Sequence, residues 1–178
     1  MTYSNNIRAY KNILPTIGKN TYVDPAATVI GDTVIGDDSS VWPGVVIRGD
    51  VNHIRIGDKT NIQDGSILHN THKGKYSDGS PLIIGNKVTV GHKVILHGCT
   101  IKDFVLIGMG SSVLDNAVVE THVVLGANSL VTENKVLESG YLYMGSPAKK
   151  IRELTQEEKE FLDYSAENYA QLKDDYLE

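Results

Sequence analysis

The sequence predicts an all-β solenoid, a parallel β-helix of hexapeptide repeats, closed by one C-terminal α-helix. Three observations carry this. Aliphatic residues recur at six-residue spacing for more than a hundred residues. A small or β-branched residue stands four places after nearly every one of them. Beyond the repeats, Thr155 and Glu158 form a capping box ahead of an apolar stripe with helical spacing. Composition agrees. The chain has 178 residues and only 7% aromatics, so its core is built from β-branched and aliphatic side chains in short strands and turns.

The repeat can be followed along the chain. Openers stand at Ile17, Val23, Val29, Ile35, Val41 and Ile47, then at Ile56, Ile62 and Leu68. They resume at Ile84, Val90 and Leu96 and continue through Ile101, Ile107, Val113, Val119, Leu125 and Val131. The residue four places on is Ser, Thr, Ala or Val except at His72 and Lys135. One unit is one short strand and one turn, and three units close a triangular coil. Stacked coils bury the openers in a continuous core. The spacing therefore predicts about six coils, opening at Ile17, Ile35, Ile56, Ile84, Ile101 and Val119, the fourth shorter by a residue.

A single domain follows. It has an N-terminal segment over 1–16, the β-helix over 17–136, a connector over 137–154 and the helix over 155–177. An insertion over about 70–82, rich in Gly, Ser, Lys and Asp, is expected to project as a loop. The stripe Phe161, Leu162, Ala166, Tyr169, Leu172, Tyr176 and Leu177 is expected to pack along the flank of a β-helix, its own or a neighbour's.

The formal charge of −5, with no basic block, argues against nucleic acid or an anionic membrane as a main partner. The single cysteine, Cys99, allows no internal disulfide and suits a reducing cytoplasm. Met1 to Lys11 holds no apolar signal core, and no apolar run approaches a membrane span.

Stacking turns the repeat into a map. Equivalent positions on successive coils lie about 4.8 Å apart. The residue after the third opener of each coil forms the column Ile30, Arg48, His69, His97, Leu114, Thr132. Arg48, His69 and His97 should share one edge, and two imidazoles at that separation can bind one metal ion. Two places after the second opener the column reads Pro25, Pro43, Asp64, His92, Met109, Ala127. Asp64 and His92 should therefore stack on another edge. If identical chains assemble about a threefold axis, His92 of one subunit can join His69 and His97 of the next, and Asp64 can meet Arg48. Three imidazoles and an open position form a catalytic metal arrangement, one that lowers the pKa of a bound water toward neutrality.

Other polar residues have plainer roles beside functional ones. Arg48 and Asp50 also read as a surface ion pair. Gln63 is either a solvated corner residue or a hydrogen-bond partner of bound water or substrate. Cys99 is read as packing or turn filling. His53, His72 and His122 are read as solvated, with His72 also a loop proton carrier.

Several of these stretches are familiar together. Arg48-Gly49-Asp50, Asn61-Ile62-Gln63-Asp64-Gly65, Leu68-His69 and Val90 to Gly98 resemble the gamma-class carbonic anhydrase family, as does Gly145 to Arg152. The likeness covers nearly the whole chain and is nearest to the short bacterial branch that includes the YrdA-type proteins. The resemblance implies a left-handed coil and a homotrimer with one site at each subunit interface. It implies Zn2+ or Fe2+ held by His69 and His97 of one chain and His92 of the next. Metal-held hydroxide would hydrate CO2 to bicarbonate. Arg48 and Asp64 would pair across the interface, Asn61 and Gln63 would order the water network, and Tyr169 would reach the site. One departure stands out. The founding type carries a glutamate where this chain has Val51, and a longer acidic loop with a second glutamate as proton shuttle. Here the loop is shorter, with Asp78 its only acid. Proton export, and with it a fast rate, is therefore in question. Two rival functions remain, an acyl-CoA-linked transferase or thioesterase and a non-catalytic metal-binding trimer.

Overall fold

The computed structural model describes residues 6–177. It is a parallel β-solenoid of about eight turns, partial ones included, with one C-terminal helix. All strand pairing between coils is parallel, and the register follows the sequence columns. Ile17 pairs with Ile35, Val41 with Ile62, Leu68 with Leu96 and Ile107 with Leu125. The openers from Val29 to Val131 are nearly all sealed from water; Val41, Ile47, Ile62, Leu68, Leu96 and Leu125 have no exposed surface. Most of the residues four places on line the inner corners. Ala27, Val45, Ser66, Val88, Val94 and Ser111 are fully buried. Polar ones bond to backbone there, as Ser66 does by donating to the Gly91 carbonyl at 2.9 Å.

The shortened fourth coil has a local solution. Cys99 takes the inner corner where Thr100 was expected, so the missing residue falls in that turn. Burial pushes the Cys99 thiol well up, which leaves it a packing residue rather than a nucleophile.

The repeat runs beyond its predicted end. Leu137 and Tyr143 keep the six-residue spacing and are buried as further openers. The strands Val136–Leu137 and Tyr141–Met144 extend two faces over the sixth coil. The connector predicted over 137–154 is thus largely sheet. It ends in the antiparallel strand Lys149–Glu153, paired with Tyr141–Met144. At the other end Ile7–Arg8 pairs with Val29 and Ile30, starting the solenoid before Ile17. Lys135 four places after Val131, tyrosine in an opener position and an irregular first turn are what hid these ends from the pattern.

The helix α1 spans Gln156–Leu172, and a 3-10 turn follows over Lys173–Tyr176. Thr155 accepts from the Glu158 N–H at 3.2 Å, and Glu158 accepts from the Thr155 N–H at 2.9 Å, completing the capping box. The helix docks on its own solenoid. Of the predicted stripe only Leu162 and Ala166 are deeply buried, whereas Phe161, Leu172, Tyr176 and Leu177 remain exposed. Charge supplies what the stripe does not. Lys87 pairs with Asp163 at 2.6 Å and Glu167 at 2.9 Å, and Lys59 reaches Glu167 at 2.9 Å. Lys173, with no exposed surface, pairs with Asp174 at 2.5 Å. Trp42 meets Tyr169 and Tyr176 edge-on, with ring centroids 6.0 and 5.1 Å away, and Tyr22 joins the cluster. No helix among the described residues is long and apolar enough to cross a membrane.

Candidate metal centre

The structure sorts the predicted site residues into two clusters. The first holds Arg48, Asp50, His69 and His97. His69 and His97 are register partners on adjacent strands, Ile67–His69 and Ile95–His97, and both side chains leave the sheet outward beside the buried Leu68 and Leu96. Their rings lie 5.2 Å apart, with His69 Nδ1 at 3.2 Å from His97 Nε2. His69 Nε2–H donates to Asp50 Oδ1 at 3.1 Å, and Asp50 Oδ2 accepts from Arg48 at 2.6 Å. His97 Nδ1–H donates to Asp115 Oδ1 at 2.5 Å.

The second cluster holds Asn61, Gln63, Asp64, His92 and Tyr169. His92 Nδ1–H donates to Asp64 Oδ2 at 3.0 Å, across one coil step. Both side chains are about half exposed, 47% and 52%, so this imidazole stands open to a neighbour. Gln63 is buried rather than solvated. Its amide N–H donates to Asn61 Oδ1 at 3.1 Å, and it also hydrogen-bonds the Tyr169 hydroxyl. Asn61 in turn donates to Thr89 Oγ1 at 3.0 Å. Burial raises the Tyr169 pKa, the Asp64 charge adds to this, and the Gln63 bond opposes it.

Asp115 was not foreseen. It lies two places after its opener, Val113, in the column Gly31, Gly49, Asn70, Gly98, Asp115, Glu133. The signal was there: an acid one coil beyond a histidine column, reaching back over a glycine. Gly98 makes room for it. A Cβ at position 98 would sit 2.6 Å from Asp115 Oδ1.

Each of the three predicted ligands thus has one ring nitrogen fixed by a carboxylate: His69 by Asp50, His97 by Asp115, His92 by Asp64. This is how proteins orient metal-binding histidines, leaving the other nitrogen as donor. The facing nitrogens of His69 and His97 test the fit. With the outer N–H groups given to Asp50 and Asp115, both inner nitrogens present lone pairs, and at 3.2 Å these repel unless a cation lies between them. Tetrahedral zinc with Zn–N near 2.0–2.1 Å needs donor nitrogens about 3.3–3.4 Å apart. Burial lowers the His69 pKa; Arg48 and His97 push the same way against Asp50, so the ring favours the neutral form a ligand requires. Within one chain, among the described residues, no three His, Cys, Asp or Glu side chains converge on an ion, so the pair lacks its third donor.

Residues 15–49 match the family model described as bacterial transferase hexapeptide (six repeats). Protein YrdA of Escherichia coli (strain K12) is 58% identical over 176 residues, covering 98% of this chain and 96% of its own. The carbonic anhydrase of Geobacillus kaustophilus (strain HTA426) is 50% identical over 152 residues, 85% of this chain and 80% of its own. The chain belongs to the gamma-class carbonic anhydrase family. The fold neighbours include a crystal structure of a hexapeptide transferase family protein from Anaplasma phagocytophilum. That match has a TM-score of 0.89 and 41% identity, over 96% of this chain and 97% of the other. Val51, 41% exposed, stands beside Asp50 on the first edge.

Proposed function

We propose that this chain is a gamma-type carbonic anhydrase-like metalloenzyme that hydrates CO2 to bicarbonate as a homotrimer, in the cytoplasm. The observation that carries the proposal is the His69–His97 pair, two inward lone pairs 3.2 Å apart with both outer nitrogens tied to carboxylates. His69 and His97 of one subunit and His92 of its neighbour would hold Zn2+ or Fe2+, one ion per subunit interface. The metal supplies Lewis acidity that makes water a nucleophile near neutral pH. The sheet face bearing His69 and His97 presents Ile67 and Ile95 to solvent, 46% and 42% exposed, in register with each other. An apolar strand face of this kind supports burial against a second copy. On assembly, Asp64 would turn toward Arg48 of the neighbouring subunit while it orients His92.

The protein's own groups then have separable tasks. Asp50, Asp64 and Asp115 fix ring orientation. Gln63, held by Asn61 and Tyr169, presents a preset amide to water or bicarbonate, at little reorganisation cost. Val51 carries no proton, so proton export falls to solvent buffer or to His72 on the exposed loop. The experiment is stopped-flow CO2 hydration of anaerobically purified, zinc- or iron-loaded protein at several imidazole concentrations, beside His92→Ala. Activity that rises with imidazole and vanishes in His92→Ala is the expected outcome. A stoichiometrically metallated protein that is silent at every buffer concentration would refute the anhydrase activity.

The transferase name of the fold neighbour supports a second reading, acyl-CoA chemistry on the same scaffold. In that case CoA binds and His92→Ala leaves turnover intact, since three histidines in register are not needed for acyl transfer. A trimer that binds metal stoichiometrically but turns over neither CO2 nor acyl-CoA would instead be a non-catalytic metal-binding assembly.

A further inference from the structure

The protruding loop and the two metal-ligand histidines share their anchors. The loop closes at its base through Thr71 and Ser80, whose backbones exchange hydrogen bonds of 3.1 and 3.0 Å. On one side Asn52 donates to the Thr71 carbonyl at 3.1 Å, and Asn70 donates back to the Asn52 carbonyl at 2.8 Å. Asn52 stands two residues from Asp50, which holds His69. On the other side the Thr71 hydroxyl donates to Asp115 Oδ2 at 2.5 Å, while Asp115 Oδ1 holds His97. Ser80 donates to Asn116 Oδ1 at 2.9 Å, one residue further on. Gly98 is wedged in the same place: a Cβ there would meet Asp115 Oδ1 at 2.6 Å and Ser80 Cβ at 2.8 Å. The loop beyond this base is exposed, Tyr76 by 90%.

We infer that Asp115 is a positioning residue for His97, itself positioned by Thr71, and that this chain of contacts couples the order of loop 71–80 to metal binding. The physical ground is simple. A carboxylate holds an imidazole at a fixed angle more firmly when its second oxygen is also held, and here that partner belongs to the loop. Rotation of Asp115 after loss of Thr71 frees His97 Nδ1, and His97 Nε2 leaves its place opposite His69. By reciprocity, whatever the loop contributes to metal affinity the metal returns to the order of the loop. The inference rests on His97 being a metal ligand, as proposed above.

The test measures zinc affinity by competition with a chromophoric chelator in the full-length protein, for wild type, Asp115→Asn, Thr71→Val and Thr71→Ser. Asp115→Asn is expected to weaken zinc by about 10–100-fold and Thr71→Val by about 10-fold, the range for groups that orient ligands. Thr71→Ser, which keeps the hydroxyl, should bind as wild type does. Zinc should also slow tryptic cleavage at the exposed loop residues Lys73 and Lys75 in wild type and not in Thr71→Val. Unchanged zinc affinity in Thr71→Val, or cleavage indifferent to zinc in wild type, overturns the coupling while leaving the metal site standing. A wild type that takes up no zinc overturns both.

Discussion

Two inactive variants mixed together should regain metal, and the geometry fixes how much. His69 and His97 lie on one edge of the solenoid, and His92 with Asp64 lies on another. In a cyclic trimer each site takes the first edge of one subunit and the second edge of the next. A His92→Ala homotrimer has no complete site, and neither has a His69→Ala homotrimer. In a mixed trimer, one interface joins the intact first edge of a His92→Ala subunit to the intact His92 of a His69→Ala subunit. The other two interfaces are broken, whichever variant is in the majority. Random equal mixing makes about three-quarters of trimers mixed, so about one quarter of the wild-type sites return. The assay is bound zinc per trimer after the two variants are refolded together, with CO2 hydration as a second readout. Metal content that stays at zero in the mixture, while wild type refolded in parallel fills its sites, would refute the shared-site geometry.

Three further outcomes follow from the packing. Ile67→Asp with Ile95→Asp sets like charges opposite each other on the face assigned to the trimer. Sedimentation should show a folded monomer that has lost zinc; a zinc-loaded trimer would move the interface elsewhere. Leu162→Ala empties a site that is only 2% exposed under the helix, and should cost about 2–5 kcal/mol in urea unfolding followed through Trp42. Tyr22 donates to Asp24 at 2.7 Å within the aromatic cluster, and burial with that carboxylate raises its pKa to about 12 from 10.0. The folded state therefore favours the neutral phenol. Its contribution is complete below pH 10 and is lost as pH rises through about 12. Tyr22→Phe should abolish that part of the alkaline transition in Trp42 fluorescence.

Much of this protein was determined by sequence alone, because a solenoid is nearly one-dimensional. Each coil touches only its neighbours, so a spacing of six converts directly into register, and register placed His69 on His97 and Asp64 on His92. The hand of the coil came from the resemblance, not from the spacing. What needed three dimensions was every contact not made along the column. The solenoid's ends were missed because Tyr143 is an opener only when the sheet beneath supports it. Lys173 is buried although its type belongs in water, because the turn after the helix lies against the solenoid, where Asp38 comes within 3.8 Å of its ammonium. Gln63 is buried because the helix carrying Tyr169 lies over its corner. Asp115 reaches His97 through the absence of a side chain at Gly98; its column marks an acid one coil beyond a glycine, and the close approach itself is decided by the tertiary structure.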